Sequence, residues 1–306
     1  MSQPVLIIGG PSASGKSALA MDLAESLKGV IINADSLQIY KGLPILTAQP
    51  TLEDQRKIPH RLYSSLSPFE QCTAAIWRDL VRQEIDLVHA TKALPIVVGG
   101  TGLYLKALTD GLSFIPPIPD FIREESRRIQ KDNLHQLWED LEHLDPDSLI
   151  KLHPKDQQRI ARAWEVLKAT GKPLRYWQKK KSPVNQDYKM LPIVVLPPRK
   201  EVYNKSEKRF DEMLTLGVMD EIATFASAYP LRDLPLSKAL GALHLLDALE
   251  GKSSLEEAVI LSKTATRHYI KRQYTWFRHQ FSALISLETY STQEARQQVK
   301  KVLKEL

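Results

Sequence analysis

Apolar runs and amphipathic stretches alternate along the first 110 residues of the chain. Three mainly aliphatic runs, Val5–Ile8, Val30–Ile32 and Leu94–Val98, predict strands that are buried on both faces. Residues 18–24 and 70–91 carry apolar side chains at helical spacing, so each predicts an amphipathic helix. Strands that alternate with helices in this way predict a parallel sheet covered by helices, with ligands bound at the carboxyl ends of the strands.

The pattern changes at the proline-rich segment Pro116–Pro119. From residue 120 to about residue 178 the apolar positions recur at helical spacing, and the run Leu191–Leu196 predicts a return to the sheet. No apolar run approaches the roughly 20 residues of a membrane-spanning helix. We therefore expect an α/β core, residues 1–114 and 186–306, interrupted by a helical insertion, residues 115–185.

A glycine-rich loop follows the first predicted strand directly. Residues 10–17 fit G-x-x-x-x-G-K-[ST], a loop whose N–H groups hold phosphate together with the N-terminus of the next helix. In this pattern Lys16 reaches the distal phosphates and the Ser17 hydroxyl binds Mg²⁺. The fold class that we expect is therefore a P-loop NTPase-like parallel sheet core with an inserted helical domain. The expected phosphate-binding residues are Gly10, Pro11, Ser12, Ala13, Ser14, Gly15, Lys16 and Ser17.

Two further chemical groups follow predicted strands. Asp35 comes after the second strand, where its carboxylate could bind Mg²⁺, act as a general base or cap a following helix. Gly99–Thr101 follows the third strand, where the glycines permit close approach of a ligand and Thr101 can cap the next helix. Because parallel strands end at one edge of a sheet, we expect Asp35, the glycine-rich loop and Gly99–Thr101 to converge.

Positive charge is concentrated in three stretches of the chain. The formal net charge is +6, and Lys and Arg cluster in residues 123–131, 151–181 and 263–278. A solvated helix face would account for any single cluster, but three clusters in a phosphate-binding protein favour a nucleic acid as the partner. The one cysteine, Cys72, fits a reducing cytoplasm, where we expect the protein to work.

Two of these stretches carry their basic residues in patterns that suit RNA. Arg159 and Arg162 are three residues apart on a predicted helix, so they share a face that could contact phosphates or simply face solvent. Residues 266–278 interleave basic and aromatic side chains, as RNA-binding surfaces do. Trp276 and Phe277 within that stretch are expected to pack in the core instead.

Six blocks of sequence combine these features in order over nearly the whole chain. Together they closely resemble the tRNA dimethylallyltransferases, also called tRNA isopentenyltransferases, and the absence of a C-terminal zinc-finger extension resembles the bacterial type. The blocks are GGPSASGKSALA at 9–20, ADSLQIYKG at 34–42, PHR at 59–61, GGTGLYLKAL at 99–108, HPKDQQRIARAWEV at 153–166 and TRHYIKRQYTWFR at 266–278.

The resemblance implies transfer of a dimethylallyl group from dimethylallyl diphosphate to N6 of the adenosine at tRNA position 37, with release of pyrophosphate. Asp35 would take the proton, Lys16 and Mg²⁺ would stabilise the leaving diphosphate, and Thr101 would position the amine or the diphosphate. The insertion would bind the anticodon stem, and the enzyme would be a monomer. The residues that the resemblance assigns to tRNA contact are Asp35, Ser36, Leu37, Gln38, Thr101, Arg123, Gln158, Arg159, Ile160, Ala161, Arg162 and Lys238.

The chain departs from the usual family pattern at four places. Leu46 and Gln49 stand where a glycine and a lysine are usual, residues 237–239 replace a usual Arg-Gln-Ala, Ala242 replaces a usual tyrosine, and residues 63–65 lack a usual aspartate. These changes concern tRNA affinity and the fit of the base rather than the reaction class.

Three other functions are compatible with parts of the sequence. One is an isopentenyltransferase that acts on free adenylate, which the large basic insertion disfavours. Another is a small-molecule kinase that uses ATP, which the lack of an aspartate at Gly99-Gly100 disfavours. The third is a non-catalytic RNA-binding module with a nucleotide switch, which would not require a carboxylate facing the phosphate loop.

Overall fold

The structure is a computed structural model that describes residues 3–150, 152–180, 188–289 and 292–304. The chain divides into two compact units, one of Met1–Thr109 with Asn185–Leu306 and one of Asp110–Val184. The first boundary falls at the end of a helix, five residues before the predicted one. The predicted boundary between residues 185 and 186 lies outside the described residues, as do Lys151 and Lys181 at the ends of the second basic cluster.

Six parallel strands form the sheet of the first unit: β1 (Gln3–Gly9), β2 (Gly29–Asn33), β3 (His60–Arg61), β4 (Leu94–Gly99), β5 (Tyr188–Val195) and β6 (Ile285–Leu287). They lie in the order β3-β2-β4-β1-β5-β6. Gly9 pairs with Gly99 on one side and with Val194 on the other, while Asn33 pairs with Val98. The strand ends that carry the candidate chemistry therefore lie at the same edge of the sheet.

The helices are numbered in chain order across both units. The first unit contains α1 (Lys16–Leu27), α2 (Leu52–Lys57), α3 (Ala74–Ala90), α4 (Gly102–Thr109), α9 (Arg199–Thr215), α10 (Val218–Ala228), α11 (Ala242–Leu249), α12 (Leu255–Gln280) and α13 (Thr292–Lys304). The second contains α5 (Asp120–Leu144), α6 (Pro146–Leu149), α7 (Gln157–Thr170) and α8 (Leu174–Gln178). Two short 3₁₀ helices, Leu231–Asp233 and Pro235–Lys238, precede α11.

Alternating side chains of β1 fill both faces of the sheet. Val5 and Ile7 belong to a cluster that includes residues of α3, α4 and α9–α12, whereas Leu6 and Ile8 pack with Leu19 of α1 on the opposite face. All of these side chains are buried, as expected for a parallel sheet with helices on both faces. The predicted fold class of the core is therefore confirmed.

Several predicted element boundaries were wrong for local reasons. The helix predicted from residue 70 begins at Ala74, because the Thr73 hydroxyl caps it by accepting a hydrogen bond from the Ile76 N–H at 3.2 Å. Residues 120–178 form four helices rather than one helical run, and Asn133 interrupts the first of them with φ −157° and ψ 86°. Strands β3 and β6 were not predicted, because two and three residues are too few for an apolar run.

The helical unit has a core of its own. Ile160 and Trp164 of α7 pack in one cluster with Leu137 and Leu141 of α5, and all four are buried. The Trp164 Nε1–H donates to an Asp140 carboxylate oxygen at 2.7 Å, which satisfies the indole in that core. Ile160 and Trp164 therefore mark the face of α7 that packs in the core. Within the described ranges, no helix combines the length and apolarity that a bilayer crossing requires.

Candidate functional site

The glycine-rich loop joins β1 to α1 in a conformation that depends on glycine. Gly15 has φ +92° and Ala13 has φ +61°, so the loop turns twice through the left-handed region. A Cβ atom on Gly10 would lie 2.6 Å from the Val195 carbonyl oxygen, so no larger residue fits there. The loop then leads into the N-terminus of α1, where a helix attracts anions.

A cavity beside this loop, which we call the phosphate pocket, brings together residues of the loop and of the strand ends. Ser12, Lys16 and Ser17 of the loop meet Asp35 and Gly99 there, so the strand ends that were expected to converge do converge. Thr101 is not among the residues that line it. The full lining is Ser12, Lys16, Ser17, Asp35, Gln38, Thr47, Ala48, Tyr63, Val98, Gly99 and Arg209.

Two cations of the pocket are held partly out of water. Burial lowers the pKa of Lys16 to about 8; nearby Asp35 opposes this shift and Arg209 adds to it. The Lys16 ammonium donates to the Pro11 carbonyl at 3.2 Å. Burial also lowers the pKa of Arg209, with Asp35 opposing the shift. Two desolvated cations facing one carboxylate leave the pocket net positive, which favours a polyanion.

Asp35 is fixed in place by its own turn. Its backbone N–H donates to the Asn33 side-chain oxygen at 2.8 Å, and its Oδ1 accepts the Leu37 N–H at 3.0 Å. Asn33 is fully buried, and its Nδ2 also donates to the carbonyls of Asp35 and Leu62, both at 3.0 Å. The carboxylate closes this turn rather than capping a helix, because the next helix, α2, begins only at Leu52. Helix capping, one of its three possible roles, is thus not what the structure shows.

Thr101 lies directly before α4 and reaches the turn that contains Asp35. Its hydroxyl oxygen accepts the Ser36 N–H at 3.0 Å and donates to the Ser36 hydroxyl at 3.3 Å. Thr101 therefore connects the end of β4 to the residue next to Asp35.

Sequence reasoning missed Arg209 and Gln273. Arg209 lies on α9, whose many charged residues give no sign of which one faces the pocket. Gln273 is 5% exposed on α12; its side-chain oxygen accepts the Ser12 N–H at 2.9 Å and its amide donates to the Gly100 carbonyl at 3.0 Å. The available signal was a glutamine within the basic and aromatic stretch 266–278. An amide that packs inside such a helix must find hydrogen-bond partners, because buried amides need them.

The residues assigned to tRNA in the first unit lie in different settings. Ser36, Leu37 and Gln38 are half-buried, and the Gln38 amide donates to the carbonyls of Thr47 and Ala48 at 2.8 and 2.9 Å. Lys238 is exposed at the end of a 3₁₀ helix. A further groove of about 540 Å³ runs along α12, and Phe277 of the same helix is buried. The groove is lined by His268, Lys271, Arg272, Thr275, Trp276, His279 and Gln280.

In the helical unit, the side chains of Gln158, Arg159 and Arg162 reach solvent at least in part, and we call these three the arginine face. The side chains of Ile160 and Ala161 are buried in the core of that unit, which corrects their assignment to an RNA surface. Arg123 is half-buried, and its Nε has no hydrogen-bond partner among the described residues.

The donor set of the pocket suits a magnesium ion that arrives with phosphate. The described residues contain no group of three or more His, Cys, Asp or Glu that could hold a metal alone. Mg²⁺ commonly binds through one or two protein oxygens together with phosphate oxygens and water. The Ser17 hydroxyl and the Asp35 carboxylate line the same pocket and fit that requirement.

Comparison with known proteins gives a consistent result. The model of the IPP transferase family matches residues 38–280. A curated tRNA dimethylallyltransferase of Rhodospirillum centenum is 46% identical over 284 residues, which are 92% of this chain and 90% of that relative.

Solved structures agree with the sequence comparison. A tRNA isopentenylpyrophosphate transferase of Staphylococcus epidermidis is 29% identical with a TM-score of 0.70, covering 99% of this chain and 100% of that one. A eukaryotic dimethylallyltransferase that acts on tRNA shares the fold with a TM-score of 0.83 at 24% identity, over 99% of this chain and 80% of that one.

Proposed function

Because the chain belongs to the IPP transferase family and transfers a dimethylallyl group to tRNA, we propose that its donor is dimethylallyl diphosphate and its acceptor is N6 of the adenosine at tRNA position 37, 3′ to the anticodon. Pyrophosphate is the second product. The observation that carries this proposal is the phosphate pocket, where the glycine-rich loop, two cations and the Asp35 carboxylate line one cavity.

The leaving group is stabilised by groups that are already in place. As the bond between carbon and oxygen breaks, negative charge builds up on the diphosphate. Lys16 and Arg209 line the pocket that would receive that charge. Preorganised charges of this kind lower the barrier most when water is excluded. The Ser17 hydroxyl, together with the diphosphate, would hold Mg²⁺, and the ion would supply further neutralisation of the same charge.

The nucleophile needs a base. The adenine amine becomes acidic as its nitrogen bonds to carbon, and Asp35 accepts the proton that it loses. One bond forms between N6 and carbon, one bond breaks between carbon and oxygen, the proton moves to Asp35 and pyrophosphate leaves. The hydrogen bond from Leu37 to Oδ1 orients the carboxylate, and Thr101 supports the same turn through Ser36.

The basic surfaces support tRNA as the acceptor. The groove along α12 combines Lys271 and Arg272 with Trp276, and the arginine face offers two guanidinium groups. Bases of a single-stranded anticodon loop can be splayed out, so the target base can enter a pocket while cations hold the backbone. A tRNA substrate also supports a cytoplasmic location, and resemblance to the family supports a monomer.

A substrate panel tests the proposal. The full chain is incubated with labelled dimethylallyl diphosphate and, in turn, unmodified tRNA, the same tRNA with guanosine at position 37, or AMP. A parallel sample contains labelled ATP in place of the labelled diphosphate. We expect label only in the tRNA that carries adenosine 37. Labelled AMP would instead identify an adenylate isopentenyltransferase, and phosphoryl transfer from ATP would identify a kinase.

A further inference from the structure

Tyr63 lies between two residues with an unusual backbone. Leu62 has φ +60° and Ser64 has φ +47°, and neither is a glycine. Such conformations persist only where the surroundings enforce them, and they cluster at functional sites. Here the result is that the side chain of Tyr63 lines the phosphate pocket with Lys16 and Asp35.

Three hydrogen bonds hold this backbone in place. The Leu62 carbonyl accepts from Asn33 Nδ2 at 3.0 Å, and the Ser64 N–H donates to the Gln38 carbonyl at 3.0 Å. The Ser64 hydroxyl donates to the Gln49 side-chain oxygen at 2.7 Å. Asn33 also positions Asp35, so one buried amide sets the place of Tyr63 and of Asp35 together.

Two departures from the usual family pattern meet at this point. Gln49 stands where a lysine is usual, and residues 63–65 lack a usual aspartate. The hydrogen bond between Ser64 and Gln49 joins the two segments by uncharged groups. The structure therefore links these departures to the position of Tyr63.

The ring of Tyr63 is supported, and its hydroxyl is available. The ring packs against the apolar cluster of α1 and makes an edge contact with His60, with ring centroids 5.4 Å apart. The hydroxyl has no hydrogen-bond partner among the described residues. Burial and the charge of Asp35 both raise the pKa of Tyr63, so the hydroxyl remains a donor at neutral pH.

We propose that the Tyr63 hydroxyl donates a hydrogen bond to the diphosphate of the isoprenoid donor, which makes Tyr63 a further catalytic residue. The inference rests on the proposed function, because it takes the diphosphate as the occupant of the phosphate pocket. A phenol suits this place: it adds a donor without a positive charge, so it forms no ion pair that would occupy the Asp35 carboxylate.

Tyr63→Phe removes only the hydroxyl, and Tyr188→Phe is its matched control. Tyr188 is the first residue of β5, at the opposite end of the strand from the pocket, and its hydroxyl donates a hydrogen bond to Asp86.

Titration calorimetry of the full chain with inorganic pyrophosphate and Mg²⁺ measures the contact directly. We expect Tyr63→Phe to weaken pyrophosphate binding about tenfold, to lower kcat, and to leave Tm and tRNA affinity unchanged. We expect Tyr188→Phe to lower Tm and to bind pyrophosphate as the wild type does.

The outcomes separate the two proposals. If Tyr63→Phe binds pyrophosphate with the affinity of the wild type, the proposed role of Tyr63 is overturned and the proposed function stays intact. A higher KM for tRNA with unchanged pyrophosphate affinity would also overturn it, because the hydroxyl would then contact the base. A wild-type protein that does not bind pyrophosphate would overturn both.

Discussion

The phosphate pocket and the arginine face both carry positive charge, but they hold it in different ways. In the pocket, Lys16 and Arg209 are desolvated enough for their pKa values to fall. On the arginine face, Arg159 Nε lies 3.4 Å from Asp156 Oδ2 and Arg162 Nη1 lies 3.6 Å from Glu165 Oε2. Both arginine side chains reach water. Desolvated charges act strongly at fixed positions, whereas solvated charges act weakly and are screened by salt. The pocket therefore suits chemistry, and the arginine face suits affinity for a polyanion.

The largest effect should come from the carboxylate of the pocket. Asp35→Asn keeps an oxygen that can accept the Leu37 N–H, so the turn survives while the base is lost. We expect kcat to fall by about 100-fold or more, because general base catalysis contributes that much, with tRNA affinity unchanged. Single-turnover rates and a tRNA binding assay measure the two quantities.

The exposed Asp79 provides the control for this change. Asp79→Asn breaks only a surface contact with Arg78, so kcat should stay at the wild-type value. An Asp35→Asn enzyme that retains its rate would show that the carboxylate is not the base.

The difference between these regions also explains what could be predicted from the sequence. The strands β1, β2 and β4 and the glycine-rich loop follow from runs of adjacent residues, so local pattern is enough to find them. Arg209 and Tyr63 enter the pocket only through tertiary packing, from α9 and from a segment after β3. No local spacing distinguishes Arg209 from the other cations of its helix.

The arginine face illustrates the opposite error. Residues 158–162 were assigned to tRNA as one block, but a helix turns about 100° at each residue, so a continuous block cannot share one face. Ile160 and Ala161 therefore point into the core. Resemblance selected the segment as a prediction, and helical geometry decides which of its side chains reach solvent.

A smaller effect, on affinity alone, should come from the arginine face. In Arg159→Gln with Arg162→Gln, we expect tRNA affinity to fall about tenfold near physiological salt and the slope of log Kd against log salt to decrease by about two. The value of kcat at saturating tRNA should not change. Filter binding across a salt series measures both the affinity and the slope.

Lys57→Gln is the control. Lys57 is an exposed cation of α2, in the first unit, and it pairs with Glu53 of the same helix. The control removes one charge and the double variant removes two. A change in log Kd for the control that is half the change for the double variant would therefore show that net charge, rather than this face, attracts the tRNA.

The smallest of the expected changes should come from a carboxylate that supports the pocket without lining it. Glu221 accepts the N–H groups of Ile45 and Leu46 at 2.7 and 2.9 Å, and the next two residues, Thr47 and Ala48, line the pocket. In Glu221→Gln one of those N–H groups faces an amide N–H₂ group, so about 1–2 kcal/mol of unfolding free energy should be lost. We expect kcat to fall by about twofold, since the loop keeps one of its two hydrogen bonds.

Urea unfolding and steady-state kinetics test this prediction against the control Glu53→Gln. Because Glu53 forms its ion pair with the exposed Lys57, we expect no measurable change in stability or kcat. A full loss of kcat in Glu221→Gln at unchanged stability would mean that this carboxylate takes part in catalysis. The residues that carry the chemistry would then extend beyond those that line the pocket.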